Sequence, residues 1–337
     1  MSEEVNNFLN FDVNNIFKNL TDGKKTENEY GKDIYRPNSN MTNLSLTSYS
    51  SVIKFIPWFK DTNSSIVEKY VTFLKDPIKN ENRCFDCPSS INKQSIFQTS
   101  FFACRNSARS SIRDLEKSFR RTGQFFALIQ VIEDEKCPEN EGQIKIFQFP
   151  KQIFDKLNEF VNPTSKYKKP ENPFDIFSGK LFNVKIRIKT DRDFKFPTYE
   201  MSEFLDREYG IVIDGKEYKD KEDLQKIYEY LKTNSPDLDQ YKYKEMTSDQ
   251  KSWVGEAIRN ILPEDCAELK QIMKKHPDFF VSTKENDGLK NIDDDSNPFK
   301  QDEDEKPVLK PKQSKTVKQD LDDELDDIID IDDILND

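Results

Sequence analysis

The sequence predicts an α+β fold, mainly β, with short strands forming a small barrel and helices following them. Three observations carry this. The stretches 48–75, 124–132, 143–150 and 181–190 alternate or run apolar as strands do. Apolar residues at helical spacing take over from 221 to 280. Only nine glycines occur in 337 residues, and neither G-x-G-x-x-G nor G-x-x-x-x-G-K is present, so the phosphate loops of parallel α/β folds are missing.

Along the chain, Leu9, Val13, Ile16, Phe17 and Leu20 recur at helical spacing and predict a short amphipathic helix. Residues 23–46, rich in Asn, Ser and Thr, read as a linker, so an N-terminal arm ends at 47 and a core begins at 48. "SYSSVIKFIPWF" and "SSIVEKYVTFL" are β-branched and aromatic, and read as the first strands. Residues 76–117 then form a cysteine-containing insertion. Within it Arg105, Arg109, Arg113 and Lys117 fall four apart, which on one helix makes a basic stripe. The competing reading is a solvated helix face.

"QFFALIQVI" (124–132) is apolar throughout, as in a strand buried on both faces. In "QIKIFQFP" (143–150), Ile144 and Ile146 share one face while Lys145, Phe147 and Phe149 share the other. "LFNVKIRIKT" (181–190) alternates strictly, with Lys185, Arg187 and Lys189 in one row. Like charges along one strand face repel, and a bound polyanion relieves that repulsion more fully than solvent. Residues 221–280 read as helices, with Ser248 as a candidate N-cap. From 283 onwards Asp, Lys, Pro and Asn dominate, which predicts a disordered linker and tail.

The net charge of −11 resides almost wholly in residues 320–337, "DLDDELDDIIDIDDILND", which carry −10. Residues 83–195 hold 21 Lys and Arg against 14 Asp and Glu, so the middle of the chain is basic. No run approaches the roughly 20 apolar residues of a membrane span. The acidic start has no apolar signal core, which predicts an intracellular protein. Five cysteines, an odd number, fit a reducing compartment. Histidine chemistry has one candidate, His276, with no evident nucleophile beside it, and no enzyme is predicted.

Cys84-x-x-Cys87 followed by Cys104 is a partial metal signature, and Cys137 is the candidate fourth ligand for zinc. Ordinary buried thiols are the competing reading. Single-stranded nucleic acid requires cations tracking phosphates and rings on which bases stack. Arg105, Arg109, Arg113, Arg120, Arg121, Lys145, Lys185, Arg187 and Lys189 are the candidate cations. Phe125 or Phe126, Phe147, Phe149 and Tyr199 are the candidate rings. In "KSFRRTGQFFALIQV" the arginine pair is expected to take phosphates, with one phenylalanine facing bases and the other in the core.

The stretch 118–157, with its basic pair, its Pro138–Gly142 block "PENEG" and its turn "IFDKL" (153–157), resembles the single-stranded DNA-binding, helix-destabilising proteins of T-even bacteriophages. "SVIKFIPW" (51–58), "FDIFSGKLFNVKIRIKT" (174–190), "YKEMTSDQ" (243–250) and the Leu-Asp-Asp tail resemble further segments in the same order. The resemblance implies an oligonucleotide-binding (OB) barrel with a zinc subdomain, gripping single-stranded DNA without sequence preference in replication, recombination and repair. By motif it places Arg120, Arg121, Phe126, Phe147 and Tyr199 in the groove. It also implies a host-cell cytoplasmic location, and a tail that recruits polymerase, helicase loader, primase or recombinase. Two features depart from the family pattern. No histidine lies near Cys84 and Cys87, and the N-terminus is acidic where the family has a basic arm for self-association, leaving the Leu9–Leu20 helix as the candidate. An acidic replication adaptor on a scaffold barrel, and an RNA chaperone using the same groove, are the alternatives.

Overall fold

The computed structural model describes residues 8, 12–18, 33–43, 45–191 and 194–280. The acidic tail, Leu9 and Leu20 lie outside the described residues. The chain is mixed α+β around a nine-stranded sheet. The strands read from alternation are all present: β2 (Ser48–Ile56), β3 (Ile66–Asp76), β5 (Arg121–Glu133), β6 (Ile144–Phe149) and β7 (Lys180–Asp191). Between them lie the shorter β1 (Ile34–Tyr35) and β4 (Glu81–Asp86), and after them β8 (Phe194–Thr198) and β9 (Glu203–Glu208).

The sheet runs β1-β6-β5-β2-β7-β8, with β3 branching from β5, β4 from β3 and β9 from β7. β5 produces the branching. Its first half pairs with β3 as far as Ala127, and its second half pairs with β2 from Leu128 onwards. The expected closed barrel is not seen among the described residues, because no ladder joins the two ends. A two-residue turn, Asp214–Gly215, with φ of 52° and 77°, joins the separate hairpin β10 (Ile211–Ile213) and β11 (Lys216–Tyr218). Two successive left-handed residues match a type I′ turn, which suits the right-handed twist of paired strands.

Both faces of the central strands are buried. Phe125, Ala127, Ile129, Phe147, Phe149 and Val184 enter one core cluster, capped by Ile153 and Leu157 of helix α5 (Lys151–Val161). Phe126, Leu128, Ile144 and Ile146 enter a second, covered by helix α6 (Leu224–Asn234). The two-sided apolar run in β5 was legible. The aromatic row of β6 was expected on an open surface, and instead meets a covering layer. Lys54 of β2 is fully buried, and its ammonium donates to the carbonyls of Asp175 (2.8 Å) and Gly179 (2.9 Å), tying β2 to the segment before β7. Burial pulls its pKa down to about 7.

Part of the stretch read as linker is structured. β1 pairs in parallel with β6, and helix α2 (Pro37–Asn43) buries Met41 in the first core cluster. The N-terminal helix is present as α1 (Val13–Lys18), and Ile16 is fully buried within the same cluster. That part of its apolar stripe is spent inside the protein and is not presented to another protomer.

A third cluster joins the cysteine-containing insertion to the C-terminal helices α7 (Ser248–Ile261) and α8 (Ala267–Lys275). Phe85 and Phe97 pack there with Trp253 of α7. Gly255 permits the close approach: a Cβ added there would lie 1.8 Å from the Phe279 carbonyl oxygen. The N-cap of α7 is Thr247, one residue before the expected Ser248. Its hydroxyl accepts from the Gln250 N–H, and the Gln250 side chain accepts from the Thr247 N–H.

The predicted basic helix over 105–117 is broken. Helix α3 (Ile96–Arg105) ends at Asn106, and a single turn, α4 (Ser110–Arg113), begins after Arg109, whose ψ of 120° is extended. Asn106 and Ser107 account for the interruption, since short polar side chains bond to nearby backbone in non-helical forms; the Ser107 hydroxyl accepts from the Arg109 N–H. A continuous stripe of four cations therefore does not form.

Candidate nucleic-acid interface

The antiparallel pairing of β3 with β5 sets Tyr70 opposite Gly123 and Thr72 opposite Arg121. Because Gly123 has no side chain, the Tyr70 ring lies against its Cα, and an added Cβ would be 3.5 Å from the ring. The Arg121 guanidinium sits 4.4 Å from the centre of that ring. On the neighbouring α3, Arg105 lies 5.8 Å from the Phe101 ring, and Phe101 meets Phe102 edge-on at 5.4 Å. Positions 101 and 105 are one helical turn apart, which brings such side chains together.

These elements, with the start of α5, enclose an open cleft of 460 Å³. Arg105, Lys117, Arg120, Arg121 and Lys151 supply five cations, against the carboxylates of Glu68 and Glu116, with Lys151 also paired to Asp155 of its own helix at 2.9 Å. Phe102 stands 48% exposed at the rim. The Tyr70 hydroxyl donates to Glu68 at 2.7 Å, and burial pushes its pKa up to about 12, so it stays neutral. A cationic, ring-lined and open trough is the arrangement that holds phosphates while bases stack.

A larger cavity of 780 Å³ lies between α5 and β9, beside the stacked rings of Phe160 and Phe204, 3.8 Å apart. Its walls carry Asp155, Glu159, Glu171, Glu200 and Glu203 against three lysines. That excess of carboxylates repels a polyanion, so size does not decide between the two.

Of the expected site residues, the structure gathers Arg105, Arg120, Arg121 and the edge of Phe125 in the cleft. Arg113 donates instead to the carbonyls of Ser107 (2.8 Å) and Ala108 (3.1 Å), holding the loop between α3 and α4. Arg109, at the start of α4, has the Glu268 carboxylate as its neighbour. Phe125, Phe126, Phe147, Phe149 and Tyr199 are all buried, so the rings expected to stack bases have their faces against protein. The cation row on β7 is compensated: Lys185 pairs with Glu203 at 2.8 Å and Lys189 with Glu200 at 2.6 Å, while Arg187 between them is exposed. Lys145 is half-buried on β6 opposite Ile129. Tyr70, Phe101, Phe102, Lys151 and Phe154 were missed as site residues, while Lys117 was read as the last cation of the basic stripe and reaches the cleft without that helix. The one local signal was the Phe101–Arg105 spacing.

The cysteines do not fit zinc. Cys84 is exposed on β4, Cys87 and Cys104 are buried in the third cluster, and Cys137 sits in the loop after β5, its N–H donating to the Asp134 side chain at 3.2 Å. Burial pushes the Cys104 thiol up to about 12, so in the protein as it stands the thiol is protonated. His276 is brought against α3, but its Nε2 shares a 2.9 Å hydrogen bond with the Thr99 hydroxyl. Among the described residues no three Cys, His, Asp or Glu side chains converge on one point. No helix there is long and apolar enough to cross a membrane.

The family model described as gp32 DNA binding protein like matches residues 49–253. Two curated relatives are the single-stranded DNA-binding proteins of Enterobacteria phage T4 and Enterobacteria phage T2. Each is 27% identical over 121 residues, covering 35% of this chain and 38% of the relative. The matched stretch thus spans well under half the length of those relatives.

Proposed function

The chain belongs to the gp32-like DNA-binding family, and from that premise we propose that it is a non-enzymatic protein that coats single-stranded DNA without sequence preference during phage replication, recombination and repair. The observation that carries this reading is the cleft beside β3 and β5, with five cations against two carboxylates and the exposed Phe102 ring at its mouth. Arginines and lysines take phosphates, and Phe102 offers a face to any base, since every base has a π-surface. A duplex, whose bases are already paired and stacked, has no ring to offer. The β2, β3, β5, β6 and β7 frame is read as an opened OB-type barrel, supported by the long β5 shared between β3 and β2. The site of action would be the cytoplasm of the infected host.

Anisotropy titration of labelled oligo-dT at several salt concentrations tests this, with oligo-rU and a duplex of equal length beside it. The expected result is tight dT binding, far above duplex, with a log–log salt slope of about −0.7 per phosphate neutralised. Five cations engaged together would give a slope between about −2 and −4. Equal, weak binding of dT and duplex would overturn the reading and favour an adaptor on a scaffold sheet. Preference for rU would shift it to RNA.

The tail, with its charge of −10 over residues 320–337, would compete with phosphates for this cleft and recruit replication enzymes when displaced. Deleting 320–337 is expected to tighten dT binding by about tenfold at low salt, an effect that fades as salt screens the charges, and to raise duplex-melting activity. Unchanged low-salt affinity of the truncated protein would sink the competition idea.

A further inference from the structure

Phe102 belongs to two cavities. On one side is the basic cleft, and on the other a polar pocket of 430 Å³ between α3 and α8, which shares Gln98 and Phe102 with the cleft. Helix α8 lies beyond residue 253, where the family match ends, so one wall of this pocket comes from outside the matched region. Its lining is chemically distinct from that of the cleft. Gln94, Gln98, Asn106 and Gln271 contribute four carboxamides, and Lys275 stands at the side contributed by α8. Glu268, also in the wall, is held by the Ser107 hydroxyl with the Arg109 charge nearby, which keeps its carboxylate ionised and occupied.

A carboxamide carries both a donor and an acceptor. Four of them around one pocket can therefore meet the hydrogen-bonding edge of any of the bases by rotating. The volume lies within the roughly 300–1,000 Å³ of small-ligand sites, ample for one nucleobase. Entry requires a free Watson–Crick edge, which a duplex does not present. Resting on the single-strand-binding reading, we propose that the pocket between α3 and α8 receives one unpaired nucleobase adjacent to the base stacked on Phe102, with Lys275 taking the phosphate beyond it. The strand then passes over Phe102 from a groove that reads charge into a pocket that reads the base edge while remaining tolerant of sequence.

The test walks a single abasic site along a labelled oligo-dT of about a dozen nucleotides and measures binding by the full-length protein, by Gln271→Ala and by Gln98→Ala. Wild-type protein is expected to show two adjacent sensitive positions. Gln271→Ala should weaken binding of the intact oligonucleotide by about fivefold, the worth of one hydrogen bond. It should also remove the abasic penalty at one of those positions and leave the other. Gln271 is exposed, so its variant should melt with the wild type; Gln98→Ala probes the opposite wall in case it does not. Tight wild-type binding with both variants unchanged in affinity and abasic profile would overturn the pocket and leave the cleft standing. Failure of the wild type to bind oligo-dT would overturn both.

Discussion

Phe102→Ala is expected to weaken binding of oligo-dT by about 1–3 kcal/mol, the worth of one stacked base, or roughly five- to 150-fold in Kd, with no change in melting behaviour. The ring is 48% exposed at the junction of two cavities and meets Phe101 edge-on. Its removal therefore takes away a stacking platform and little core packing, and surface substitutions of that kind cost within about 0.5 kcal/mol of stability. The salt slope should stay unchanged, because no phosphate contact is lost. Arg121→Ala should do the reverse, reducing the slope by about 0.7 to 1. A Phe102→Ala protein binding dT as tightly as the wild type would exclude the cleft mouth as the stacking site.

Phe125→Ala is expected to be a stability variant, costing about 3–5 kcal/mol as a buried aromatic truncation. Phe125 is 3% exposed, stacked on Phe154 at 4.4 Å and on Phe149 at 5.9 Å. Equilibrium urea unfolding should show a lowered midpoint, and thermal unfolding a fall of about 10 °C or more. At temperatures where the variant is folded, its dT affinity should stay close to wild type, since the five cations remain. A variant of native stability that no longer binds would return Phe125 to the role its sequence neighbourhood suggests, a ring facing bases.

The contrast between these two phenylalanines marks where sequence reading stopped. "RRTGQFF" places Phe125 beside arginines along the chain, and short-range adjacency reads as one surface. In a strand, however, neighbouring residues point to opposite faces, and here both faces are covered, so Phe125 and Phe126 enter two different cores. Phe102 lies in the insertion, and only the folding of α3 against residues 116–119, which lead into β5, brings it near Arg121. The cations of β7 show the same limit from another direction. Their row is plain in the alternation of 181–190, yet Glu200 and Glu203, which compensate Lys189 and Lys185, arrive through the turn back along β9.

The sequence by itself determined the five long strands β2, β3, β5, β6 and β7, the helical C-terminal part, the absence of phosphate loops, the separation of a basic middle from an acidic end, and the family. Each is carried by composition, by a period of two or 3.6, or by motif order, all of which survive in one dimension. Tertiary structure alone decided that no ladder closes the sheet among the described residues, that β6 is covered on both faces, that the basic helix breaks at Asn106, and that the four candidate zinc cysteines do not converge. It also decided which rings face solvent. Whether a face is covered depends on segments far along the chain: residues 224–234 cover one side of β5 and β6, and residues 151–161 cover the other. Burial is a property of the partner as much as of the strand, and periodicity records only the strand.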